Sequence, residues 1–545
     1  MVGGMCLCYT IIMNRVVLWL IPYVGVLLLF SCDGNQPRTY TPPKPETVER
    51  GEDHEALVSL LLNSPLENSK PSSGTESEIG RTLLDVVSGA QETLDVAAYG
   101  LRNQPEILEA LRAAEVRGVR VRIVYDQDAG GESYYSDTPL LAEIGTSRND
   151  YEADLHTASI ASSYDGRPMW PAPNEFKGPP QCVGYTIAEG RAVVAVHASR
   201  EELSFNGDIM HNKFVIADRT LVWTGSCNLS DSGTGGYNAN AALLVRSPQV
   251  AKWYTEEFDR LFSGQFHRTK TDAFPPCRRE LVMGPQRNLV LGFSPQDYCF
   301  ENLVEPALRE AQDSIDVGIF YLTHKRVTGE LIRAHRRGVA VRVIVDATSA
   351  GNGYTKHELL RVAGIPVKVE NWGGKMHMKC ALIDDRKLII GSMNWTSAGE
   401  NKNDENTIIV RNEEIGAEFG ALYERMWASI PERWLKDRPD PESRDSTGSD
   451  RDGIDNDFDS LVDGRDPGCG SDPPPLPPLP PHRIVPLADG YDLIKGNISS
   501  SGARIYHLPG SKYYDKTRIN ERDGERWFPS VIEAREAGWR GSRAR

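Results

Sequence analysis

The sequence has little positive charge, few cysteines and no apolar run long enough to suggest several membrane spans. Its 545 residues contain 61 Lys and Arg against 76 Asp and Glu, a formal net charge of −15. This balance argues against a protein that binds nucleic acid through overall charge, although local patches can still be basic. The apolar run at residues 16–30 is short for a membrane span, which needs about 20 residues. With 40% apolar residues, a chain of this length predicts two main domains with smaller attachments.

The N-terminus has the pattern of an export signal. Arg15 precedes the apolar run, which ends at Ser31 and Cys32. A small residue followed by cysteine resembles the lipobox of bacterial lipoproteins, in which the cysteine becomes the acylated N-terminus; the alternatives are a plain signal peptide or a membrane anchor. We expect a signal peptide at 1–31, a lipid-anchored polar tether at 32–76, and a location on the bacterial cell envelope, periplasmic side or cell surface.

Export would permit disulfide bonds, but their pairing cannot be read from one sequence. Four cysteines lie in segments that resemble loops or segment ends: Cys182, Cys277, Cys299 and Cys469. Two others, Cys227 and Cys380, are expected to be small core residues.

The chain contains an internal duplication. The segment "TLDVAAYGL" at 93–101, an amphipathic helix at 105–116 and "RGVRVRIVYD" at 117–126 predict a parallel strand pair with a helical crossover. The same pattern returns as "SIDVGIFYL" at 314–322, a helix near 328–335 and "RGVAVRVIVD" at 337–346. Two similar halves are therefore expected.

A polar motif is duplicated as well. The segments "HNKFVIADRTLVWTGSCN" and "HMKCALIDDRKLIIGSMN" share six polar or small residues at identical spacing, namely His211, Lys213, Asp218, Gly225, Ser226 and Asn228 in the first and His377, Lys379, Asp384, Gly391, Ser392 and Asn394 in the second. The first copy is preceded by a long insertion within residues 133–204 that is rich in Tyr, Trp, Pro and Gly. We expect a lid or substrate-binding loop there; the alternative is a surface excursion without function.

Two such motifs facing each other suit a phosphodiester. Residues two apart share one face of a strand, so each His lies beside its Lys, and the Gly-Ser turn returns a hydroxyl and an amide to them. Lysines and amides can stabilise a five-coordinate phosphorus, while one imidazole attacks and the other protonates the leaving oxygen. This chemistry needs no cofactor, because lysines supply the positive charge that a divalent ion would bring.

The repeated pattern His-x-Lys-x4-Asp-x6-Gly-Ser-x-Asn resembles the phospholipase D superfamily over about residues 77–430. The resemblance implies a covalent phosphohistidine, with His211 and His377 as the catalytic pair and Lys213 and Lys379 on phosphate. It also implies phosphate binding by Ser226, Asn228, Ser392 and Asn394. A structural role is expected for Asp218, Asp384, Gly225 and Gly391.

An acid after the second motif often orients a histidine in this superfamily, and Glu405 in "NDENTIIV" fits that role. The aligned position in the first half is Ala239, which departs from the pattern. The two histidines should therefore be unequal. Superfamily habit makes His211 the nucleophile, but the missing acid leaves that choice open.

The repeat and the resemblance together predict an α/β fold. We expect two duplicated α/β/α sandwich halves, at 77–275 and 276–430, with mixed, mainly parallel sheets packed about a pseudo-twofold axis. A small module is expected at the C-terminus.

Three attachments follow the second half. An acidic segment at 440–470 places Asp455, Asp457, Asp459, Asp463 and Asp466 at positions 1, 3, 5, 9 and 12 of a calcium-loop register, which predicts structural Ca²⁺; the alternative is a solvated acidic linker. A Pro-rich linker occupies 471–486. Residues 487–545 resemble a module of secreted bacterial nucleases, and either nucleic-acid contact or a small aromatic core would explain its aromatic residues.

Three functions remain open at this point. The first is a monomeric phospholipase D that cleaves phospholipid head groups at a membrane. The second is a secreted or envelope-bound endonuclease that uses the same chemistry on DNA or RNA. The third, a non-catalytic surface-binding protein, is disfavoured because both His/Lys sets are complete, and the absence of a multi-span membrane portion disfavours a transferase.

Overall fold

The duplicated segments form two large β-sheets, one in each half of the chain. The computed structural model describes residues 47–67, 70–162, 185–188, 191–194, 207–352, 354–452, 456–457, 462–466, 469, 494–499, 502–507, 516–520, 524–528, 534 and 538–541. The strands up to residue 246 are β1 (Thr47–Glu52), β2 (Leu57–Asn63), β3 (Thr93–Ala98), β4 (Leu101–Arg102), β5 (Arg120–Tyr125), β6 (Thr146–Asn149), β7 (Tyr185–Ala188), β8 (Arg191–Val194), β9 (Lys213–Ala217), β10 (Leu221–Gly225), β11 (Leu229–Ser230) and β12 (Asn240–Arg246).

The strands after residue 276 are β13 (Cys277–Gly284), β14 (Arg287–Ser294), β15 (Ser314–Ile319), β16 (Ala340–Val345), β17 (Val367–Val369), β18 (Lys379–Ile383), β19 (Lys387–Gly391), β20 (Glu405–Arg411), β21 (Ile494–Ile498), β22 (Arg504–His507), β23 (Arg526–Phe528) and β24 (Arg540–Gly541). The α-helices are α1 (Glu78–Gly89), α2 (Pro105–Val116), α3 (Tyr151–Ser162), α4 (Pro248–Phe262), α5 (Thr269–Ala273), α6 (Glu305–Glu310), α7 (Lys325–Arg336), α8 (Ala347–Ala350), α9 (His357–Val362), α10 (Ser397–Asn401) and α11 (Glu413–Ser429). Short 3₁₀ or π segments lie at Thr138–Glu143, Phe300–Val304, Glu432–Leu435, Ser449–Arg451 and Asp463–Arg465.

The strand orders of the two sheets correspond. The first sheet runs β2-β12-β10-β9-β3-β5-β6, and the second runs β1-β13-β14-β20-β19-β18-β15-β16-β17. In each half the predicted strand-helix-strand unit is present, as the parallel pairs β3–β5 and β15–β16. The α/β character and the mixed sheets are confirmed. The expectation of mainly parallel sheets is wrong, because the strands that carry the polar motifs join as antiparallel hairpins, β9–β10 and β18–β19.

Apolar periodicity explains how helices cover these sheets. In α2 the buried residues Ile107, Leu108, Leu111 and Ala114 recur at helical spacing, and Pro105 starts the helix where no backbone donor is needed. Helices α1 and α2 pack on one face of the first sheet, and α6 and α7 pack on the equivalent face of the second. The opposite faces share one core, in which Phe214 of the first half and Leu382 of the second belong to the same cluster. The two halves therefore cannot fold their motif strands independently.

The predicted tether is too long. Residues 47–52 form β1, which pairs in parallel with β13 at the edge of the second sheet, and β2 pairs with β12 of the first sheet. The segment "LVSLLLN" of β2 is apolar enough to complete a sheet edge, so ordered structure begins at least 30 positions before the expected residue 77. Residues 1–46, which include the predicted signal and Cys32, lie outside the described residues.

The insertion of the first half begins later than residue 133. Strand β6 continues the parallel set β3-β5-β6 as β17 continues β15-β16, so the residues up to Asn149 have a counterpart in the second half. The extra residues therefore follow β6, starting with α3. Most of them, including Tyr164 and Trp170, lie outside the described residues, and the lid stays a prediction.

Five cysteines among the described residues are free and buried: Cys227, Cys277, Cys299, Cys380 and Cys469. Cys182 lies outside the described residues. No helix in the described part of the chain combines the length and apolarity needed to cross a membrane. In the C-terminal module, β23-β21-β22-β24 form a sheet on which Tyr506, Phe528 and Trp539 pack as a small aromatic core.

The two motif aspartates hold the hairpin turns. Asp218 and Asp384 have φ angles of +51° and +49°, and the carboxylate of each accepts three backbone N–H groups from the segment that enters the central strand. Partial burial raises the pKa of Asp218, but the three N–H donors outweigh it, and the net pKa lies below the ordinary value. These contacts tie each hairpin to its neighbouring parallel strand.

We predict that Asp218→Ala lowers the free energy of unfolding by about 1–3 kcal/mol, because three backbone N–H groups lose a charged acceptor. Urea denaturation measures this. Asp85→Ala, on the exposed side of α1, is the matched control and should change stability by less than about 0.5 kcal/mol. Equal stability of Asp218→Ala and the wild type would contradict the bracing role.

Candidate active site

Backbone hydrogen bonds between the halves bring the two motif histidines together. His211 and His377 stand two residues before Lys213 and Lys379, which are the first residues of β9 and β18, and each histidine shares a strand face with its lysine. The backbone N–H of His211 donates to the carbonyl of Asp404 at 3.0 Å, and that of His377 donates to the carbonyl of Ala239 at 2.9 Å. Each histidine is thus fixed by the opposite half.

The side chain of each histidine also contacts a residue of the opposite half. The Nδ1 of His211 contacts the two carboxylate oxygens of Glu405 at 2.8 and 2.9 Å. The Nδ1 of His377 lies 3.1 Å from the amide oxygen of Asn240. Both imidazoles therefore have the Nδ1 position occupied, which leaves Nε2 for chemistry.

Asn240, and not Ala239, is the counterpart of Glu405. Strand pairing aligns Gly225 with Ala242 and Gly391 with Thr407, so the loop before β12 is one residue longer than the loop before β20. This difference shifts the register of a sequence alignment and hides the equivalence. The first half does provide a histidine partner, but as a neutral amide instead of an acid.

The motif serines hold these partners. Ser226 Oγ donates to Asn240 Oδ1 at 2.8 Å, and Ser392 Oγ donates to Glu405 Oε2 at 2.6 Å. Both serines are fully buried. The structure thus gives them a role different from the expected phosphate binding, because each hydroxyl is committed to the residue that orients a histidine.

The lysines place two ammonium groups in the same pocket. Lys213 Nζ donates to the carbonyl of His211 at 2.5 Å, and Lys379 Nζ donates to that of His377 at 2.8 Å. Each ammonium also lies over an aromatic ring, Tyr99 at 5.0 Å and Phe320 at 5.1 Å from the ring centroid. Both lysines are only 1% exposed, and burial lowers the pKa of each, so a bound anionic phosphate would stabilise their ammonium forms at low dielectric.

Burial controls the protonation of the site. It lowers the pKa of His211 and His377 well below the ordinary value, and the neighbouring ammonium groups lower it further. Burial likewise lowers the pKa of Lys379 to about 7 and raises that of Glu405 to about 8. Near neutral pH the imidazoles are thus held neutral, which is the nucleophilic form.

Aromatic residues that the sequence analysis missed pack on the imidazoles. Tyr99 lies edge-on to His211 and Phe320 lies against His377, each with centroids 5.0 Å apart. Tyr99 and Phe320 each come directly after the first strand of their repeat. This shared position was the signal in the sequence that could have identified them. Tyr134 stacks on Tyr99, and the hydroxyl of Tyr135 accepts from the amide of Asn228 at 3.0 Å. The other motif asparagine, Asn394, has a buried amide oxygen that finds no hydrogen-bond partner among the residues that the structure describes.

In the described part of the chain, two groups of side chains come close enough to share a cation. Glu442, Asp457 and Asp466 form one of them. Two of its members belong to the predicted calcium loop, whereas Asp463 contributes a backbone N–H that donates to Glu442. Asp455 and Asp459 lie outside the described residues. Calcium binding therefore stays a prediction, with Glu442 as an added ligand that the loop register did not suggest.

The second group contains Asp150, Asp154 and His267. We assign it no metal, because the imidazole of His267 itself lies between carboxylates and supplies positive charge there. Neither group contains a histidine of the repeated motif.

Comparison with known proteins agrees with the geometry of this site. Residues 83–262 and 304–427 match the family described as cardiolipin synthase, PLD-like domain. The chain therefore belongs to this PLD-like domain family of the phospholipase D superfamily.

Individual relatives match over part of their length. Human mitochondrial cardiolipin hydrolase is 36% identical over 121 residues, which are 22% of this chain and 48% of that protein. Phospholipase D of Rickettsia typhi is 30% identical over 134 residues, 25% of this chain and 65% of the relative. The chain thus spans about half to two thirds of these curated relatives.

Solved structures of the superfamily are more distant. Nuc, a phospholipase D family member from Salmonella typhimurium, is 24% identical with a TM-score of 0.25, covering 27% of this chain and 97% of that structure. Phosphatidylserine synthase of Haemophilus influenzae is 13% identical with a TM-score of 0.43, covering 68% of this chain and 85% of that structure.

We predict that Glu405→Gln lowers kcat on bis(p-nitrophenyl) phosphate by about 10- to 100-fold, because the carboxylate that orients His211 becomes a neutral amide. KM should change little, since the lysines remain. Glu400→Gln is the matched control: it is a buried acid of the same half, its pKa is also raised to about 8 by burial, and it contacts backbone N–H groups away from the imidazoles. Equal losses in the two variants would contradict the orienting role.

We also predict that kcat/KM decreases as the pH rises through about 7. Burial lowers the pKa of Lys379 to about 7, so the ammonium form that binds phosphate is present below this pH and is lost above it. Because kcat/KM reports the free enzyme, a pH series on bis(p-nitrophenyl) phosphate detects the change. A flat profile up to pH ~9, in which the ordinary lysine pKa of about 10.4 governs, would contradict the shift.

Proposed function

We propose that the protein cleaves phosphodiesters through a covalent phosphohistidine, with His211 as nucleophile and His377 as general acid and base. The observation that carries the proposal is the pocket built from both halves, in which two buried imidazoles lie beside two buried ammonium groups. A single histidine would offer either a nucleophile or an acid, whereas the pair offers both.

The unequal partners of the histidines favour this assignment of roles. Attack through Nε2 leaves a positively charged phosphohistidine, and the carboxylate of Glu405 stabilises that charge on His211. The amide of Asn240 fixes the ring of His377 without compensating a positive charge. His377 therefore releases its proton more readily, as an acid must.

The reaction has two steps. The Nε2 lone pair of His211 attacks phosphorus, the bond to the leaving oxygen breaks, and His377 gives that oxygen its Nε2 proton. Water then loses a proton to His377 and attacks the phosphohistidine, which releases the phosphomonoester and restores His211. Lys213 and Lys379 stabilise the negative charge that builds up on the non-bridging oxygens in both steps. The arriving phosphate also raises the pKa of a neighbouring imidazole, which favours the protonated acid.

We propose phospholipid head groups as the substrate. The named activities of the relatives, cardiolipin hydrolase and phospholipase D, support a lipid phosphodiester. The predicted lipid anchor at Cys32 would hold the enzyme at an envelope membrane as a monomer. A nucleic-acid substrate is the second candidate, and it is favoured by the resemblance of residues 487–545 to a module of secreted nucleases.

The test is a side-by-side assay of purified protein on phospholipid vesicles, single- and double-stranded DNA, and bis(p-nitrophenyl) phosphate, with and without chelator. We expect lipid cleavage that survives chelation and falls by at least ~10²-fold in His211→Ala and in His377→Ala. His54→Ala, an exposed histidine far along the chain from both motifs, is the control.

Two results would change the assignment. Full activity of either motif variant would remove the two-histidine mechanism. Cleavage of DNA without cleavage of lipid would replace the phospholipase by the nuclease.

A further inference from the structure

A dense cluster of buried charge lies outside the pocket, in the connection between α4 and β13 that joins the two halves. His267 and Lys270 of this connection are buried among carboxylates from both halves. Neither residue belongs to the repeated motifs. A buried cluster of this size is costly unless each charge is paired, so its geometry requires an explanation.

His267 lies between carboxylates of the two halves. Its Nδ1 is 3.0 Å from Asp404 of the second half, and its Nε2 is 3.1 Å from Asp150 and 3.5 Å from Asp154 of the first. The backbone N–H of His267 donates to Asp404 as well, at 2.9 Å. Its φ of +55° places a non-glycine residue in the left-handed region, which is tolerated only where the surroundings hold it.

Two of these aspartates, Asp150 and Asp404, also hold the backbone on either side of the His211 peptide. Asp150 accepts the N–H of Met210 at 3.1 Å, and Asp126 accepts it at 2.8 Å. Asp404 accepts the N–H of His211 through its own carbonyl at 3.0 Å and donates its N–H to the carbonyl of Ile209 at 2.9 Å. Through Asp150 and Asp404, the imidazole of His267 is therefore connected to both flanks of the segment 209–211.

Asp404 also precedes Glu405 in the chain. A side chain that fixes Asp404 consequently fixes the backbone from which Glu405 reaches His211. The distance between a histidine and its orienting carboxylate must be held within a few tenths of an ångström for the contact to act.

We propose that His267 is a positioning residue for catalysis, which locks His211 and Glu405 in register across the two halves. This inference rests on the proposed role of His211 as the nucleophile. It assigns a function to a residue that lies between the repeats and has no counterpart in the motif.

The charges around His267 fit an imidazolium. Burial lowers the pKa of His267, but Asp404 and Asp150 outweigh it and hold the pKa well above the ordinary value. Asp404 is held charged, with a pKa below the ordinary value despite burial, by Lys270 and His267. Burial raises the pKa of Asp154 to about 8 and that of Asp126 well above the ordinary value. The remaining facing groups are ion-paired, as Lys270 with Glu257 and Arg268 with Asp208.

Among the described residues, the histidine of the second half, His377, has no equivalent anchor. The position equivalent to Asp404 is Ala239, whose carbonyl accepts the N–H of His377 but whose side chain can anchor nothing. Asp346 accepts the N–H of Met376 at 3.1 Å, as Asp126 does for Met210. The extra anchoring thus falls on the histidine that has the carboxylate partner. This asymmetry is expected if His211 must meet phosphorus in one defined geometry.

The test combines His267→Gln with Glu405→Gln in a double-mutant cycle on bis(p-nitrophenyl) phosphate. We expect His267→Gln to lower kcat by about 10-fold or more with KM within about 2-fold, because the phosphate-binding lysines are not anchored by His267. Glu405→Gln should then cost less than about 3-fold in the His267→Gln background, since the register it depends on is already lost. A residue that only stabilises the fold would give independent losses that multiply.

Two further variants keep the test decisive. Asp150→Asn preserves an acceptor for the N–H of Met210 but breaks the ion pair with His267, so it should show the same coupling to Glu405→Gln even if His267→Gln does not fold. His357→Gln is the matched control: it is a buried histidine that contacts Glu358 at 2.9 Å in α9, and it should leave kcat unchanged.

The outcomes separate this inference from the proposed function. If His211→Ala is inactive while His267→Gln has the wild-type kcat, or if the losses multiply, the positioning role is wrong and the two-histidine mechanism stands. If His211→Ala remains fully active, the mechanism itself fails, whatever His267→Gln does.

Discussion

The contact between His211 and Glu405 is the constraint on which the site depends, because its two partners come from different halves of the chain. The histidine stands before a strand of the first sheet, and the carboxylate begins a strand of the second. Their contact requires the shared core, the backbone bonds between the halves and the buried charge of the connection to be in place together. The two sheets therefore have to dock before either motif is complete.

Duplication produced a site with two similar sides that are not equivalent. Each histidine has a neighbouring lysine, an aromatic ring and a serine-held partner. However, the partner of His211 is an acid whereas that of His377 is an amide. In the proposed mechanism the nucleophile needs a countercharge for its covalent intermediate and the acid needs to lose its proton, so this one difference would separate the roles that the shared motif leaves identical.

Local sequence patterns predict much of the fold and of the site. The features that they do not predict depend on pairing between residues far apart in the chain. The helix at 105–116 and both His/Lys pairs follow from periodicity and repetition, which are visible in short windows. The match between Glu405 and Asn240 was hidden by one extra loop residue, which only strand pairing shows. Strands β1 and β2 lie within the predicted tether, because a short edge strand has no periodic signal that would distinguish it. His267 carries no motif at all, and its partners lie more than 100 positions away on either side.

Mapping the covalent intermediate tests the central claim most directly. The protein would be mixed with bis(p-nitrophenyl) phosphate, quenched at alkaline pH within the first turnover, digested and examined by mass spectrometry for phosphohistidine. The account predicts a phosphoryl adduct on the peptide that contains His211 and none on the peptide that contains His377. An adduct on His377, or turnover without an adduct on either histidine, would contradict it.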